Sequence, residues 1–319
     1  MAEEGVSMDD YASARLVGLV QGALAAEGIR TLAPTGDGAL LPFEAKRRFL
    51  DGVAREYGLL PLLRVGSLLS AHTSDPAVSA LLSAVDAHDL FQRWQRLERF
   101  THSRHRVVIV EQGPGHLVAE HVGPSSAPPE PAEDALVLGV LSALLSLTGA
   151  GELIVTVGSD RPVTVMARGA CTAPPPTEGS GRWRFAWSDV ARDLRVPTVE
   201  SGTDTVARTR SMLRADLARR WTLADLTNEL HLPARSIQRR LTGVGGFSGL
   251  IATVRTEAAA ELLMQSGHSV GVVGFACGYA DQPHFTRHFK RHTAMTPAAY
   301  RSAFRPSPPA QPPSHSTHT

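Results

Sequence analysis

Apolar residues recur along this chain at two spacings, and the change from one to the other divides it. Near the N-terminus the period is helical: Leu16, Leu19, Val20, Ala23 and Leu24 share one face of residues 10–28, which stop at Gly28. A second amphipathic helix is expected from Pro42 to about Tyr57, with Phe49, Leu50 and Val53 inward and Lys46-Arg47-Arg48 on a solvated face. Leu59 to Gly66 is another apolar stretch, and Asp75-Pro76 is a start signal for a short helix over residues 76–85. Asp89 to Phe100 is the best-marked helix of this half, with Leu90, Phe91, Trp94 and Leu97 as its core stripe and Arg93, Arg96 and Arg99 along its flank.

The spacing then becomes strand-like. Arg106 to Val122 reads as a hairpin turning at Gly113-Pro114-Gly115. A Pro/Ser-rich loop at 123–131 leads to an apolar core helix from Ala135 to Leu147. Leu153 to Val157 and Val163 to Ala167 are strands about the turn at 158–162, and after a surface loop at 172–181 the run Arg182 to Trp187 alternates as a last strand. Residues 1–198 are therefore expected to form an α+β domain, helices first and strands later, followed by a polar linker at 199–205.

From Val206 the helical period returns and persists to 305, so the C-terminal domain, 206–305, is expected to be all-α. Its first helix should run to Arg220, with Val206, Leu213 and Leu217 inward and Arg208, Arg210, Arg214, Arg219 and Arg220 outward. Leu223, Leu226 and Leu230, then Ile237 and Leu241, fall at helical spacing on either side of a break at His231-Leu232-Pro233, which is a helix-turn-helix pattern. Val244-Gly245-Gly246 is a turn, and a connecting helix from Gly249 to Gln265 leads to a second such unit. There Gly278 supplies the turn and Asp281 caps a helix with Phe285 and Phe289 on its apolar face. The tail 306–319, rich in Pro, Ser, Thr and His, has nothing to bury and is expected to be disordered.

Charge sharpens this division. The 319 residues carry a net charge of only +1, but residues 201–305 hold 14 Lys and Arg against 7 Asp and Glu, while residues 1–200 hold 18 against 24. A basic excess beside a helix-turn-helix pattern points to nucleic acid, because phosphate neutralisation supplies most sequence-independent affinity. Two cysteines, Cys171 and Cys277, build neither a disulfide framework nor a four-cysteine metal site, which makes a reducing cytoplasm the simplest compartment. The acidic start Met1-Ala-Glu-Glu-Gly and the lack of any apolar run of about 18 residues argue against a signal peptide and a membrane span.

Phe247, Leu250, Arg255, Ala259 and Leu262-Leu263 come first in a longer set. Gly278-Tyr279, Asp281-Gln282, His284-Phe285, Arg287, Phe289-Lys290-Arg291, Thr296-Pro297 and Tyr300-Arg301 complete it. At these offsets the last third of the chain resembles the AraC/XylS family of transcription regulators. The resemblance implies two helix-turn-helix units joined by a long helix, each with its second helix in a major groove of duplex DNA. This sequence departs from the pattern in three ways. Pro233-Ala234 lacks the usual hydroxyl cap, Gly271 and Gly274 stand at helix-interior positions, and Ala294 replaces a usual glycine. Arg93-Trp94, Leu97-Glu98-Arg99 and His102-Ser103-Arg104-His105 are also similar to the N-terminal ligand-binding region of ornithine-type members.

Arg235, Ser236, Gln238 and Arg239 in the first unit and Gln282, His284, Arg287, Lys290 and Arg291 in the second are the candidate DNA-contacting residues. Arg235, Gln238, Arg239, Gln282 and His284 are expected to face base edges, where Arg pairs with guanine and Gln with adenine; the other cations face phosphates. The partners expected are duplex DNA, a small-molecule effector and a second copy of the chain on the N-terminal domain, and RNA polymerase for an activator. No membrane, cofactor or catalytic step is expected. His102, His105, His116 and His121 cluster around the hairpin, but no carboxylate or cysteine stands at a recognised ligand spacing, so hydrogen-bonded or exposed histidines are the plainer reading. Two other functions compete with a regulator: a non-specific architectural DNA binder, and a DNA-modifying enzyme with the same reading head.

Overall fold

The computed structural model describes residues 11–32, 34, 40–73, 75–101, 104–176, 180–189 and 205–304. In chain order the N-terminal part runs β1 (Tyr11–Ser13), α1 (Ala14–Ala26), β2 (Leu40–Pro42), α2 (Phe43–Tyr57), α3 (Leu60–Arg64), a 3-10 stretch at Val65–His72, α4 (Pro76–Leu82) and α5 (Ala87–Thr101). It continues with β3 (Arg106–Gly113), β4 (His116–Val122), α6 (Pro131–Leu147), β5 (Ala150–Val157), β6 (Val163–Ala167), β7 (Ala170–Cys171) and β8 (Arg182–Asp189). An α+β fold is thus what the N-terminal part adopts, with most helices before the main sheet as the spacing predicts, but with the short strands β1, β2 and β7 added.

β3 to β8 form one antiparallel sheet in the order β3-β4-β8-β5-β6-β7. The last strand in sequence lies inside because its alternate residues Trp183 and Phe185 are fully buried, opposite Ala119 and Leu117 of β4 and Val157 and Val155 of β5. The core beneath them is completed by α6, whose residues are apolar on most of its circumference. That helix starts at Pro131, four residues earlier than its apolar run, because Glu130 and Glu133 close a reciprocal capping box.

Three readings of the N-terminal part need correction. The buried face of α1 carries Val17 with Val20, Ala23 and Leu24, while Leu19 is half-buried. Short strands β1 and β2 pair, which three residues each cannot announce by alternation. Of the triplet Lys46-Arg47-Arg48 only Arg48 is on a solvated face. Lys46 is buried and its Nζ lies 2.7 Å from Glu133 Oε1, and Arg47 meets Glu130 at 2.6 Å, so the acidic start of α6 draws the basic side of α2 inward. Of the four histidines, His105 and His121 are buried side by side, rings 5.4 Å apart. His121 Nδ1 lies 2.8 Å from Asp134, while His116 faces Glu111 at the far end of the hairpin. Burial and the neighbouring His121 and Lys46 outweigh Glu133 and hold His105 down to about pKa 4, so it is neutral. Among the described residues no group of three or more potential ligands is placed to hold a metal ion.

The C-terminal part is helical throughout: α7 (Thr205–Ala215), α8 (Leu223–Leu230), α9 (Ala234–Leu241), a 3-10 turn at Thr242–Val244, α10 (Gly246–Gln265), α11 (Val270–Ala276), α12 (Gln282–Thr293) and α13 (Pro297–Phe304). Helix α7 stops at Ala215, short of the expected Arg220, and α10 starts three residues earlier than expected. At 20 residues α10 is roughly 30 Å long. It serves two cores: Leu250 and Val254 pack with α8 and α9, Ala258, Ala259 and Leu263 with α11 and α12. No helix among the described residues is long and apolar enough to cross a membrane. Residues 199–204, the tail at 306–319, His102 and Ser103 lie outside the described residues.

Candidate nucleic-acid interface

In the first unit Thr222 caps α8: its hydroxyl accepts the Asp225 N–H and the Asp225 carboxylate accepts the Thr222 N–H. The chain turns at His231, which is left-handed at φ 52, and α9 begins at Ala234 after Pro233 with no side-chain cap. Ile237 and Leu241 are fully buried, which pins α9 and turns its other faces outward: Arg235, Gln238 and Arg239 are exposed and Ser236 is half-buried.

In the second unit Gly278 makes the turn at φ 78, and Asp281 accepts the His284 N–H at 2.6 Å to start α12. Phe285 and Phe289 are fully buried; Gln282, Arg287, Lys290 and Arg291 are exposed. His284 is half-buried, its ring 5.5 Å from that of Tyr279, so it is partly engaged in holding the turn. Ala294 keeps the left-handed conformation (φ 62) that a glycine would adopt freely.

Ion pairing separates these cations from three neighbouring arginines. Arg210 pairs with Glu257 and Arg214 with Glu261, both on α10, and Arg219 with Asp225 and Glu229 of α8. Among the described residues, Arg235, Arg239, Arg287, Lys290 and Arg291 have no carboxylate partner. The outward faces of α9 and α12 are thus left cationic.

The two glycines of α11 are explained by what lies against them. A Cβ at Gly271 would meet the Phe100 carbonyl oxygen at 3.1 Å, and one at Gly274 would meet Phe285 Cδ1 at 2.8 Å and Phe100 Cε1 at 3.1 Å. The end of α5 therefore presses on α11, which presses in turn on α12. The seam between the two parts is built on α5. Arg93, fully buried, donates to both oxygens of Asp216 at 2.8 and 2.7 Å and to Asp89 at 3.0 Å; Arg96 donates to the Ala218 carbonyl. Neither role is visible in a flank of arginines spaced three apart. The partner that defines it, Asp216, lies 123 positions away. The only sequence signal was the pair of glycines inside a helix, which marks close packing as readily as weak propensity.

An apolar cavity of about 130 Å³ lies along the same seam. Leu69, Leu81, Trp94, Leu97 and Val140 line it from the N-terminal part, and Val272 of α11 closes it from the other. Beside it Glu98 is buried. Desolvation outweighs its hydrogen bonds from Trp94 and Val107 and pushes its carboxyl up to about pKa 7.

Two short helices meeting at a tight turn, twice over and joined by one long helix, define a protein with a paired helix-turn-helix module. Residues 226–303 match the family model described as a helix-turn-helix domain, and the C-terminal part is a domain of the AraC type. The chain is similar to the HTH-type transcriptional activator FapR of Escherichia coli, 32% identical over 78 residues. Those residues make up 24% of this chain and 30% of the activator, so the match spans less than a third of that relative. Among solved structures, the C-terminal domain of AraT, a response regulator from Geobacillus stearothermophilus, is 25% identical with a TM-score of 0.31, covering 35% of this chain and 95% of that one. The transcriptional regulator CdpR from Pseudomonas aeruginosa is 18% identical with a TM-score of 0.37, covering 89% and 97%.

Proposed function

We propose that the protein is a sequence-specific regulator of transcription. Residues 206–305 read duplex DNA, and residues 1–198 bind a small effector and pair two chains. The observation that carries this reading is a division of charge: the cations on the outer faces of α9 and α12 have no carboxylate partner among the described residues, whereas Arg210, Arg214 and Arg219 are matched by carboxylates of α8 and α10. A structural helical bundle has no need of that asymmetry, and a duplex supplies the missing counter-charge. With α10 roughly 30 Å long between them, α9 and α12 suit successive major grooves about 34 Å apart on one face of the duplex.

Within this reading Arg235, Gln238, Arg239 and Gln282 face base edges. Arg287, Lys290 and Arg291 grip phosphates, Ser236 adds a hydroxyl to the DNA-facing side of α9, and half-buried His284 helps hold the turn before α12. Effector control is supported by the seam, because a ligand in the cavity touches Val272 and α11 bears directly on α12 through Gly274 and Phe285. The enzyme reading loses one of the two thiols it could use, since Cys277 is fully buried and its thiol is pushed up to about pKa 12.

Binding-site selection on three variants tests the proposal. Gln282→Ala should cost about 1–3 kcal/mol on the preferred site and relax preference at one or two base positions. Arg239→Ala should do the same about 10 base pairs away. Lys290→Ala should weaken all sequences alike and reduce the salt slope by about one. Uniform losses from all three, with sequence preference unchanged, would favour the architectural binder.

A further inference from the structure

Helix α5 has two working faces. Trp94, Leu97 and Glu98 look into the apolar cavity; Gln92, Gln95, Arg96 and Arg99, on the other side, line a recess of about 380 Å³ that strand β3 and Arg220 complete. Arg220 comes from the C-terminal part, two residues before the Thr222 cap of α8, so this recess too spans the seam.

The recess has cations without anions. Arg93 beside it is satisfied by Asp89 and Asp216, but none of Arg96, Arg99 and Arg220 has a carboxylate partner among the described residues. Arg96 is the telling member. Only 5% of it is exposed, its Nη2 donates to the Ala218 carbonyl, its guanidinium lies 5.9 Å from the centre of the Phe275 ring, and its Nε has no acceptor. Burying a cation without a counter-charge is costly. Here burial, together with the guanidinium groups of Arg93, Arg220 and Arg255, pulls its pKa down to about 10. Arg99 and Arg220 are exposed at the rim, and Gln92 and Gln95 add side-chain amides to the lining.

We propose that Arg96, Arg99 and Arg220 form a binding site for a small oxyanion, the carboxylate or phosphate group of a metabolite, held between the two parts of the chain. Planar guanidinium groups take such groups in paired hydrogen bonds, and the recess admits a small molecule down to Arg96, where the surface of a duplex reaches only the rim. Bound there, the anion ties α5 to the segment that leads into α8 and fixes the first reading unit relative to the N-terminal part. This site is independent of the apolar cavity and does not require it.

The test uses the full chain. Its thermal midpoint is followed during titration with inorganic phosphate, with citrate, and with sodium chloride at matched ionic strength. A saturable rise with phosphate or citrate beyond that with chloride is expected. The apparent affinity should weaken about tenfold or more in Arg99→Gln and in Arg220→Gln, because each loses a charged hydrogen-bond donor. Arg99→Lys should fall between. Both side chains are exposed, so the variants should unfold near the wild-type midpoint when no anion is added. The same response to chloride as to phosphate and citrate, or an unchanged response in both variants, would overturn the proposal. So would a salt slope on duplex DNA lowered by about one in each variant with no response to either anion, which would make the cluster a grip on the DNA backbone. Sequence-selective DNA binding by the unaltered chain is read separately, so loss of this site leaves the regulator reading standing.

Discussion

The two helix-turn-helix units are held in different ways. The first closes a core of its own: Leu213, Leu226, Leu230, Ile237, Leu241, Leu250 and Val254 pack together without a side chain from the N-terminal part. The second shares its core. Phe100 of α5 packs against it, and Phe275 of α11 in turn belongs to the cluster that fills the N-terminal part. The turns differ as well, since α9 starts without a side-chain cap after left-handed His231 whereas Asp281 caps α12 after Gly278, but what ties one unit to the N-terminal part is packing. One unit packs on residues of the C-terminal part alone, and the other shares its packing with the N-terminal part.

The harshest way to break this contrast is Arg93→Ala, which leaves Asp216 and Asp89 without their buried partner. It should destabilise the chain by about 3–5 kcal/mol and split thermal unfolding into two transitions, the later of which survives in residues 205–304 alone. Calorimetry checks it; a single transition would mean that the parts do not depend on this bridge.

Next in size is a pH effect on the N-terminal side of the seam. The folded chain holds the Glu98 proton to about pH 7 while the unfolded chain loses it near 4.5, so ionising Glu98 costs the fold and stability falls as pH rises between them. His105 acts in the opposite sense. It is neutral in the fold above about pH 4 and protonated when unfolded up to 6.5, so it adds stability as pH rises over that range, and His288 of α12, also lowered to about 4, adds to it. Glu98→Gln should remove the opposing slope, giving a steeper rise in urea midpoint from pH 4.5 to 6.5 and no decline between 6.5 and 7.

Gly274→Val should cost roughly 1–3 kcal/mol by overpacking against Phe285 and Phe100, and should weaken binding at the half-site read by α12 more than at the other. Equal losses in footprints of both half-sites would show that the units move together. The smallest effects are gains. Ala294→Gly relieves the left-handed residue after α12, and Pro233→Ser gives α9 the cap it lacks; each should stabilise by about 1 kcal/mol in denaturant melts.

Much of this architecture was legible because it is written locally. The Asp281 cap, the Gly278 turn, the break at His231-Leu232-Pro233 and the alternation at Arg182 to Trp187 each depend on neighbours in sequence. The outward faces of α9 and α12 followed from the buried positions Ile237, Leu241, Phe285 and Phe289. What stayed hidden depends on distant partners. Lys46 looks like a surface lysine until Glu133 meets it, and Arg93 and Arg96 look like a solvated flank until Asp216 and Ala218 arrive. Gly271 and Gly274 were legible as weak helix formers, whereas the reason for them, the carbonyl and ring of Phe100, lies more than 170 positions earlier. Helix ends were missed where tertiary contacts moved them, as at Ala215, just before the Asp216 that Arg93 holds.

The contact of Phe100 with Gly271 and Gly274 also constrains how chains of this kind can diversify. A side chain at position 271 meets the backbone carbonyl of Phe100 and one at 274 meets the rings of Phe285 and Phe100, so neither glycine can enlarge unless the last turn of α5 shifts and Phe285 repacks, and the glycines and α5 must change in concert. Recombination that joins this reading head to a foreign sensor separates them in one step. Such a chimera should inherit its partner's response only if the closing turn of α5 is transplanted together with the head.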